Sequence, residues 1–246
     1  MDNFNISPEP WCINNWFKHN DLINMYSGTL KILVDLLLPR TCVFCDTQKS
    51  LLCDYCRNNK LQYYAHHFCH VCHKELSDNL VHPECRESTK IDGVFVVAHY
   101  NKFAKILIEE MKYNLYFAIS KEIGFLMKAK LSDYNISYDA LIPVPLHKFK
   151  ENYRGFNQAE LLSRVITTQV DNCLKRTKNT KSQVSLNREE RFENLKNVFE
   201  LKHKVNYKAV LIVDDVMTSG STLEECSKVL KHAGVKKVYG LVFARD

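Results

Sequence analysis

The 246-residue sequence contains no apolar run long enough to span a membrane. Residues 36–38, even when extended back across Asp35 to Ile32, fall far short of the about 20 residues that a transmembrane helix requires. The polar, acidic start of the chain also lacks the charged-then-apolar pattern and the small-residue cleavage site of a secretory signal peptide. These absences predict a cytoplasmic protein with no stable membrane insertion.

Two common phosphate-binding fingerprints are absent as well. Neither a Gly-Lys-Ser/Thr triplet nor a G-x-G-x-x-G pattern accompanies residues 210–222 (VLIVDDVMTSGST), the stretch that combines a strand, a small-residue turn and a helix start. The stretch is therefore neither a P-loop nor a dinucleotide-binding fingerprint, and a phosphate site here must depend on other groups.

The stretch begins with four apolar residues, 210–213, which predict a buried parallel strand. Two adjacent acids, Asp214 and Asp215, follow the strand, and the turn after them leads into a helix that ends at Gly234. Backbone N–H groups and the positive end of that helix form an anion site, and Gly220 lets the backbone approach the anion. This layout predicts that the turn binds a phosphate.

Adjacent carboxylates are poor phosphate ligands, but they accept hydrogen bonds from sugar hydroxyls. We therefore predict a ribose-5-phosphate site in which Asp214 and Asp215 hold the 2′- and 3′-hydroxyls and the turn holds the 5′-phosphate. The simpler alternative is a strand with two solvated acids and a Ser/Thr helix cap. The predicted ligand-binding residues are Val213, Asp214, Asp215, Val216, Met217, Thr218, Ser219, Gly220, Ser221 and Thr222.

This stretch resembles the motif with which type I phosphoribosyltransferases bind phosphoribosyl pyrophosphate (PRPP). The resemblance covers all of residues 210–222 and implies that Asp214 and Asp215 are the catalytic pair. It also implies that magnesium accompanies PRPP.

Seven of the ten cysteines lie between residues 42 and 85, mostly as C-x-x-C pairs, a pattern that favours metal over disulfides. The first two pairs can complete a tetrahedral zinc site with four thiolates: Cys42, Cys45, Cys53 and Cys56. A redox C-x-x-C motif is the alternative, but no βαβ context precedes these pairs. Because four protein ligands leave no open position, such a site is structural, and its metal would drive folding of the segment.

A second set predicts a zinc site with three thiolates and one imidazole: Cys69, Cys72, His82 and Cys85. Nearby histidines compete with this set: His66, His67, His70 and His73. The spacing leaves open whether the pairs share metals sequentially or in an interleaved order. One or two structural zinc ions are therefore expected.

Strands and helices alternate through the larger part of the chain. We predict strands at 93–100, 138–144 and 235–243 and helices at 103–113, 119–131 and 156–170. Such alternation predicts an α/β fold in which helices cover a mainly parallel sheet, with ligands at the carboxyl ends of the strands. The resemblance to type I phosphoribosyltransferases implies the same architecture, preceded here by a small zinc-binding module.

Three regions are expected along the chain. Residues 1–40 form an N-terminal extension, 41–90 the cysteine-rich module and 91–246 the phosphoribosyltransferase-like domain. Within the extension, residues 22–38 predict an amphipathic helix that docks on the body. A membrane-surface helix is the alternative, which the scarcity of basic residues on its polar face disfavours.

A stiff bend follows the second predicted strand, because two prolines fix the backbone there. Val144 and Pro145 belong to this bend, at the place where the type I resemblance implies contacts to pyrophosphate. Arg154 and Gln158 follow, and they either reach the ligand or cap the next helix. Lys112, after the first predicted helix, is a further candidate to face the site.

A basic segment, residues 177–197, lies where the type I resemblance implies a flexible catalytic loop that closes over PRPP. Its predicted pyrophosphate contacts are Lys181, Arg188 and Arg191. A solvated basic linker is the alternative.

The positive charge of the chain is concentrated in one region. Residues 146–208 contain 14 Lys/Arg against 7 Asp/Glu, whereas the whole chain has a formal charge of +6. Such an excess predicts an anionic partner, either pyrophosphate or a nucleic-acid backbone, although an ordinary basic surface would give the same count. Single-stranded DNA would bind there through its backbone charge and through stacking on Tyr153 or Phe156.

Four segments together with the zinc pairs resemble the competence protein ComF family, of the ComFC type. The segments are LLLPRTCVFC, IPVPLHKFKENYRGFNQAELL, TKSQVSLNREERFEN and VLIVDDVMTSGSTL. The resemblance implies a cytoplasmic protein that carries imported single-stranded DNA inward during natural transformation, and it makes a competence helicase a candidate partner. His82 is a departure, since it stands where many relatives have a cysteine.

Two function classes remain open. One is a competence factor whose phosphoribosyltransferase fold recognises a ribose-phosphate ligand or DNA without turnover. The other is an active magnesium-dependent phosphoribosyltransferase that transfers phosphoribosyl from PRPP to an amine or nucleobase. The whole-chain resemblance favours the first, and no nucleobase-binding segment is recognisable for the second.

Overall fold

The structure is a computed structural model that describes residues 41–64, 67–76, 80–113, 116–134, 136–178 and 198–246. The predicted helix at 22–38 and the three predicted contacts Lys181, Arg188 and Arg191 lie outside these residues. The chain divides into two compact units, Met1–Cys53 and Asp54–Asp246.

The described part of the first unit is a tight cysteine knuckle. The Cys42 N–H donates to the Thr47 carbonyl oxygen over 2.8 Å, and the Asp46 N–H donates to the Cys42 carbonyl oxygen over 2.9 Å. Asp46 has a φ of 58°, in the left-handed region that a turn of this kind requires. The turn brings Cys42 and Cys45 to the same side of the knuckle.

The second unit opens with helix α1 (Asp54–Lys60), the antiparallel strands β1 (His67–Phe68) and β2 (Glu75–Leu76), and a 3-10 helix (Pro83–Ser88). Between β1 and β2 lies a second knuckle of the same construction. The Cys69 N–H donates to the Lys74 carbonyl oxygen over 2.9 Å, and the His73 N–H donates to the Cys69 carbonyl oxygen over 2.8 Å. His73, like Asp46, has a positive φ, 62°. The two C-x-x-C pairs thus form repeated turns.

The main sheet has four parallel strands. They are β3 (Gly93–His99), β4 (Ala140–Pro143), β7 (Ala209–Met217) and β8 (Lys237–Arg245), in the order β3-β8-β7-β4. A separate antiparallel pair, β5 (Leu174–Arg176) and β6 (Phe199–Leu201), flanks the undescribed residues 179–197. The predicted parallel α/β fold is confirmed, and β3, β4 and β8 correspond to the three predicted strands.

Helices α2 (Lys102–Tyr113), α3 (Tyr116–Ser132), α5 (Gln158–Ile166) and α6 (Ser221–His232) cover the sheet, and each lies at or within a predicted helix. Side chains of β7 show why both faces need cover. Val210 and Ile212 share a core cluster with Leu230 of α6. Leu211 is also fully buried, and because successive strand residues point to opposite faces, it packs on the other side.

Helices α3 and α5 pack unusually closely at Gly124. A Cβ atom built at this glycine would lie 2.6 Å from the Cβ of Val165, a separation that real side chains do not adopt. Helix α5 therefore approaches α3 only because residue 124 has no side chain.

One helix is not predicted by the sequence pattern. Helix α4 (Lys148–Arg154) fills the stretch between the proline bend and Gly155, and none of its residues is buried. The predicted helix at 156–170 is correspondingly too long, since α5 begins only at Gln158 and ends at Ile166. A helix without a buried face has no apolar period, so its sequence gives no periodic signal.

Within the described residues, no helix combines the length and the apolar character needed to cross a bilayer.

Candidate functional site

The two predicted acids lie near the carboxyl end of β7, at the edge of the sheet where the parallel strands end. Asp215 is only 5% exposed, and its carboxylate meets two partners. The Lys112 Nζ atom lies 2.6 Å from Oδ2 of Asp215, and Gln158 Nε2 donates to Oδ1 over 3.2 Å. The Asp215 N–H donates to Oδ1 of Asp214 over 2.9 Å. Lys112 therefore faces the site, as the sequence suggested.

The pKa values of the two carboxyl groups are shifted in opposite directions. Removal from water and the adjacent Asp215 charge raise the pKa of Asp214 well above its ordinary value. Burial would raise the pKa of Asp215 too, but the Lys112 ammonium and hydrogen bonds from Asp214 and Gln158 lower this pKa to about 2. The arrangement favours a protonated Asp214 beside an ionised Asp215, so the pair can both donate to and accept from the hydroxyls of a sugar.

The turn after the acids leads directly into α6. Gly220 has a φ of 77° and stands at the N-cap of α6, where a side chain would be strained. The hydroxyls of Ser219 and Ser221 lie 2.8 Å apart. The turn thus places hydroxyl donors at the amino end of a twelve-residue helix, where anions are stabilised.

Two of the predicted ligand-binding residues have buried apolar side chains. Val213 is fully buried in the sheet, and Met217 is 4% exposed. Their side chains are not part of the cavity described below, so at these positions only the backbone is available to a ligand.

The sequence left open whether Arg154 and Gln158 reach the ligand or cap the next helix, and the structure distinguishes the two. Asn157 is the N-cap of α5, because its side chain accepts from the Ala159 N–H over 3.0 Å. Arg154 and Gln158 do not cap the helix. Arg154 Nη1 instead donates to Gln158 Oε1 over 2.6 Å, and Gln158 continues to Asp215. Arg154 and Gln158 therefore belong to the acid pair's surroundings.

A cavity of about 550 Å³ lies between these groups. The predicted residues that line it are Val144, Pro145, Arg154, Asp214, Asp215, Val216, Thr218 and Thr222. Its wall also includes Lys105, Lys112, Lys150 and Arg176, so five cations surround one opening. Such a ring of positive charge suits a multiply charged anion.

The cations repel one another when no anion lies between them. The pKa of Lys150 is lowered, first by burial and then by the charges of Arg176, Arg154 and Lys112. An anion bound in the cavity would attract all of these cations and would raise the pKa of Lys150 again. We refer to the acid pair, the turn and these cations as the phosphoribosyl cavity.

Sequence reasoning missed three of the cavity's cations. Lys105 and Lys150 lie on helix faces, and Arg176 ends β5 at the start of the basic segment. Nothing in the order of residues brings these positions together, because their convergence depends on the sheet topology. The concentration of Lys/Arg in residues 146–208 was the available signal for Lys150 and Arg176.

The expected stacking on Phe156 is wrong, because Phe156 is only 8% exposed and packs inside the domain. Tyr153 is exposed, and two further aromatic side chains near the cavity are exposed with it, Phe149 and Tyr113. Arg154 lies over the Tyr113 ring at 5.7 Å from its centroid. These rings stand beside the cations that line the cavity.

The eight predicted metal ligands form two groups. In each group, Cys42/Cys45/Cys53/Cys56 and Cys69/Cys72/His82/Cys85, the ligand atoms all lie within 4.8 Å of one another. Among the described residues the pairs are therefore grouped sequentially, not in an interleaved order. Four soft donors at this separation fit a tetrahedral zinc ion and support a structural zinc site in each group.

Local contacts act in opposite directions on two thiols of the second group: burial and the neighbouring Cys72 and Cys69 raise the pKa of Cys85 to about 12, whereas the thiolate of Cys69 is favoured. Burial opposes the charge on the Cys69 sulfur, but backbone N–H groups of Cys72, His82 and Val71 lower the pKa of Cys69 to about 6. The Nδ1 atom of His82 lies 3.2 Å from the Cys72 sulfur. His70, one of the competing histidines, contacts the Thr89 hydroxyl at 2.9 Å and does not join the group.

Comparison with known families identifies two domains. Residues 113–246 match the phosphoribosyl transferase domain, and residues 33–86 match the double zinc ribbon domain. The second match covers all eight candidate metal ligands, and the first covers the acid pair and its turn.

Among curated proteins, the chain is similar to competence protein F of Haemophilus influenzae, with 36% identity over 78% of this chain and 84% of that protein. It is also similar to the DNA utilization protein YhgH of Escherichia coli O157:H7, with 33% identity over 58% of this chain and 67% of that protein. Competence protein ComFC of Bacillus subtilis matches at 26% identity over 78% and 89% of the respective lengths.

Proposed function

Because the chain belongs to the competence protein F (ComF) family, in which a phosphoribosyl transferase domain follows a double zinc ribbon, we propose that it is a cytoplasmic factor of natural transformation that handles imported single-stranded DNA. Its phosphoribosyl cavity binds PRPP or another ribose-5-phosphate group. A competence helicase is the candidate protein partner. The region boundaries 1–40, 41–90 and 91–246 remain our proposed division of these roles.

One observation carries the proposal: five cations and an acid pair line the same cavity. A cavity for a simple anion would not place Asp214 and Asp215 in its wall, because like charges repel. A sugar that bears phosphates needs both kinds of group. The carboxylates accept from its hydroxyls, and the cations and the α6 turn bind its phosphates.

In this arrangement each predicted residue has a distinct role. Asp214 and Asp215 hold the 2′- and 3′-hydroxyls, and the residues from Thr218 to Thr222 surround the 5′-phosphate. Arg154 and Lys150, which also line the cavity, neutralise a pyrophosphate. Magnesium would enter with PRPP. The oxygen ligands it prefers would come from the pyrophosphate and from the Asp214 carboxyl group once the cation has displaced its proton.

The surface around α4 supports a role in binding single-stranded DNA. Phe149 and Tyr153 are 67% and 63% exposed, and Lys148 and Lys150 lie on the same short helix. Exposed rings that alternate with cations allow bases to stack while the backbone is neutralised, with little preference for sequence. Lys181, Arg188 and Arg191 extend the same basic region along the chain.

An active phosphoribosyltransferase is the second candidate function. The observation that favours it is the opposed pair of carboxyl groups, because a protonated and an ionised acid at one sugar are suited to moving charge as a bond to C1 breaks. Cations at the pyrophosphate would stabilise the departing group. The acceptor would be an amine or a nucleobase.

Two binding measurements on the purified protein test the proposal. PRPP with magnesium should raise the melting temperature by mass action, and single-stranded oligonucleotide should bind in a salt-dependent manner. Replacing Asp214 and Asp215 together by Ala should abolish the PRPP shift while the protein stays folded. A matched control replaces two exposed acids outside the cavity, Glu109 and Asp133, by Ala and should keep the shift.

The outcomes separate the two functions. Release of pyrophosphate from PRPP in the presence of a nucleobase or amine would establish turnover. A PRPP shift that survives in the double Asp variant would mean that the ligand binds elsewhere. Absence of oligonucleotide binding at low salt would contradict the DNA-handling role.

A further inference from the structure

A second cavity, of about 530 Å³, has a wall that consists largely of flat side chains. They are Tyr63, Tyr64, His67, Phe68 and His99, with Arg245 among them. We name this set the aromatic cleft. None of its residues belongs to a zinc group or to the acid pair, and the role proposed above does not use it.

Residues distant in sequence meet here because of strand pairing. The chain just after α1 runs along the outer edge of β3. There the Tyr64 N–H donates to the Val97 carbonyl oxygen over 3.0 Å, and the His99 N–H donates to the Gln62 carbonyl oxygen over 2.8 Å. His99 and Arg245 are register partners at the ends of β3 and β8. The cleft therefore lies at the carboxyl ends of the strands, the same sheet edge as the acid pair.

The rings already form a stacked arrangement. Tyr64 and His99 lie 3.8 Å apart at an interplanar angle of 18°, and Tyr64 and Phe68 lie 5.0 Å apart. The Arg245 guanidinium carbon is 4.2 Å from the Phe68 ring centroid. In a core, such rings would be fully buried, but His99 is exposed and Tyr63 is 37% exposed. The cleft thus presents π-faces and a planar cation to the outside.

The aromatic cleft adjoins the phosphoribosyl cavity. Asp246 lines both cavities, and its N–H donates to the carbonyl oxygen of Met217, the last residue of β7, over 3.2 Å. Arg245, immediately before it, is also paired with Met217 in the sheet register. A ligand with its ribose at Asp214 and Asp215 would therefore have the cleft within its surroundings.

We propose that the aromatic cleft binds a nucleobase by stacking, as the base-binding part of a site whose ribose-phosphate part is the phosphoribosyl cavity. The inference rests on the proposed function for the position of the ribose. The faces of a base stack on flat side chains, and its polar edge can accept from Arg245 and donate to Asp246. Because every base has a π-face, the binding is expected to tolerate all four bases.

The same base chemistry has two sources, a base within single-stranded DNA and a free base that serves as acceptor. Two arms of one experiment distinguish them. In the first, fluorescence anisotropy compares a short oligonucleotide with a strand of equal length made of abasic sugar-phosphate units. The wild-type protein should bind the base-containing strand about ten-fold or more tightly at equal salt, as expected from the loss of stacking.

The second arm uses free bases and nucleosides. Their effect on the melting temperature is measured with and without PRPP and magnesium. A shift that depends on PRPP identifies a free acceptor base, whereas a preference for the base-containing strand identifies DNA. Either result supports the cleft as a base site.

Two variants tie the effect to the cleft. Tyr63→Ala and His99→Ala should each reduce the preference for the base-containing strand or the nucleoside shift several-fold, while zinc content stays unchanged. Tyr55→Ala is the matched control, because Tyr55 is 66% exposed on α1 and lines neither cavity. It should bind like the wild type. Use of two cleft variants keeps the test valid if one of them fails to fold.

The failure of this inference differs from that of the proposed function. If PRPP and DNA bind but the two strands bind equally and no base or nucleoside shifts the melting temperature, the cleft is not a base site and the proposed function stands. If nucleosides bind wild type but not His99→Ala, while PRPP and DNA do not bind, the cleft is a base site and the proposed function fails. If PRPP, DNA, free bases and nucleosides all fail to bind, both the proposed function and the base site are overturned.

Discussion

The Nζ atom of Lys112 lies 2.6 Å from Oδ2 of Asp215, although the two residues come from helix α2 and strand β7, about a hundred positions apart in the chain. This ion pair decides which of the two adjacent acids is ionised. Asp215 has the cation, whereas Asp214 accepts from the backbone N–H of Asp215, shares a side-chain hydrogen bond with it and has a raised pKa.

Replacing the two acids singly by Asn should therefore have unequal effects on stability. Asp215→Asn leaves Lys112 without its carboxylate partner and should lower the free energy of unfolding by roughly 2–3 kcal/mol. This is less than the ~3–5 kcal/mol for a fully buried pair, because the Lys112 side chain keeps 22% of its surface exposed. Asp214→Asn removes a carboxyl group that resists ionisation and should be nearly neutral.

Urea unfolding of both variants at neutral pH measures this difference. Each variant serves as the matched control for the other, since the two substitutions are chemically identical and adjacent. Equal losses would show that the ion pair does not distinguish the two acids.

The same pair predicts a pH dependence of stability. Since the folded-state pKa of Asp214 is raised, its contribution is present at low pH and is lost as pH rises through that pKa. The pKa of Asp215 is lowered from 3.8 to about 2, so its contribution is present above about pH 4 and is lost as pH falls towards 2.

We expect the stability difference between Asp214→Asn and the wild type to shift in favour of the variant as pH rises from 5. Thermal unfolding of both proteins from pH 5 to 9 gives this difference, and effects common to both, such as zinc release, cancel. A difference that is flat across this range would contradict the raised pKa.

Metal content should follow the two ligand groups separately. Purified protein is expected to contain two zinc ions, and Cys42→Ser with Cys45→Ser should remove one of them and destabilise the N-terminal module. Cys69→Ser with Cys72→Ser should remove the other. Cys173→Ala is the control, because Cys173 is a cysteine outside both groups.

Elemental analysis of protein prepared under reducing conditions provides the count. Protein without zinc would contradict both sites. Loss of both ions on mutation of one pair would mean that the groups share their metals.

Binding of single-stranded DNA should weaken steeply with salt, with a log–log slope of about −0.7 for each phosphate neutralised. Neutralising four of the five cations of the basic segment, Lys178, Lys181, Arg188 and Arg191, should flatten that slope. The PRPP-induced thermal shift should survive in part, because Thr218–Thr222 and the acid pair are unchanged. The measurement is oligonucleotide anisotropy at several salt concentrations.

The control for charge alone replaces Lys121 and Lys128, two exposed lysines of α3 outside the phosphoribosyl cavity, by Ala. Its slope should equal that of the wild type. A four-fold variant that binds as well as wild type at every salt concentration would exclude the basic segment, and the zinc module would be tested next.

The sequence was sufficient to predict a structural element where neighbouring residues alone determine it. The four apolar residues before Asp214, the turn and Gly234 predict β7, the start of α6 and the end of α6 from neighbouring residues alone. The C-x-x-C pairs predict both metal groups in the same way, and only their pairing required the structure.

Other features depend on contacts that no local pattern contains. Helix α4 has no buried face and so no apolar period, and Phe156 reads as an exposed ring until its burial is known. The aromatic cleft joins Tyr64 with Arg245 through the pairing of β3 and β8. Such contacts depend on the register of the sheet, which is determined by the whole core rather than by either segment.

The close contact at Gly124 has a consequence for how the phosphoribosyl cavity adjusts to its ligand. Helix α5 packs against α3 without an intervening side chain, so we expect α5 and its first residue, Gln158, to move little when a ligand binds. Helix α4 has no buried residue, and its Arg154 contacts Gln158 of α5, so its amides should exchange hydrogen much faster than those of α5. The cavity would then combine a rigid helix, α5, with a flexible one, α4. A short sugar phosphate and a long strand could make the same contacts to α5 and differ in how far they displace α4.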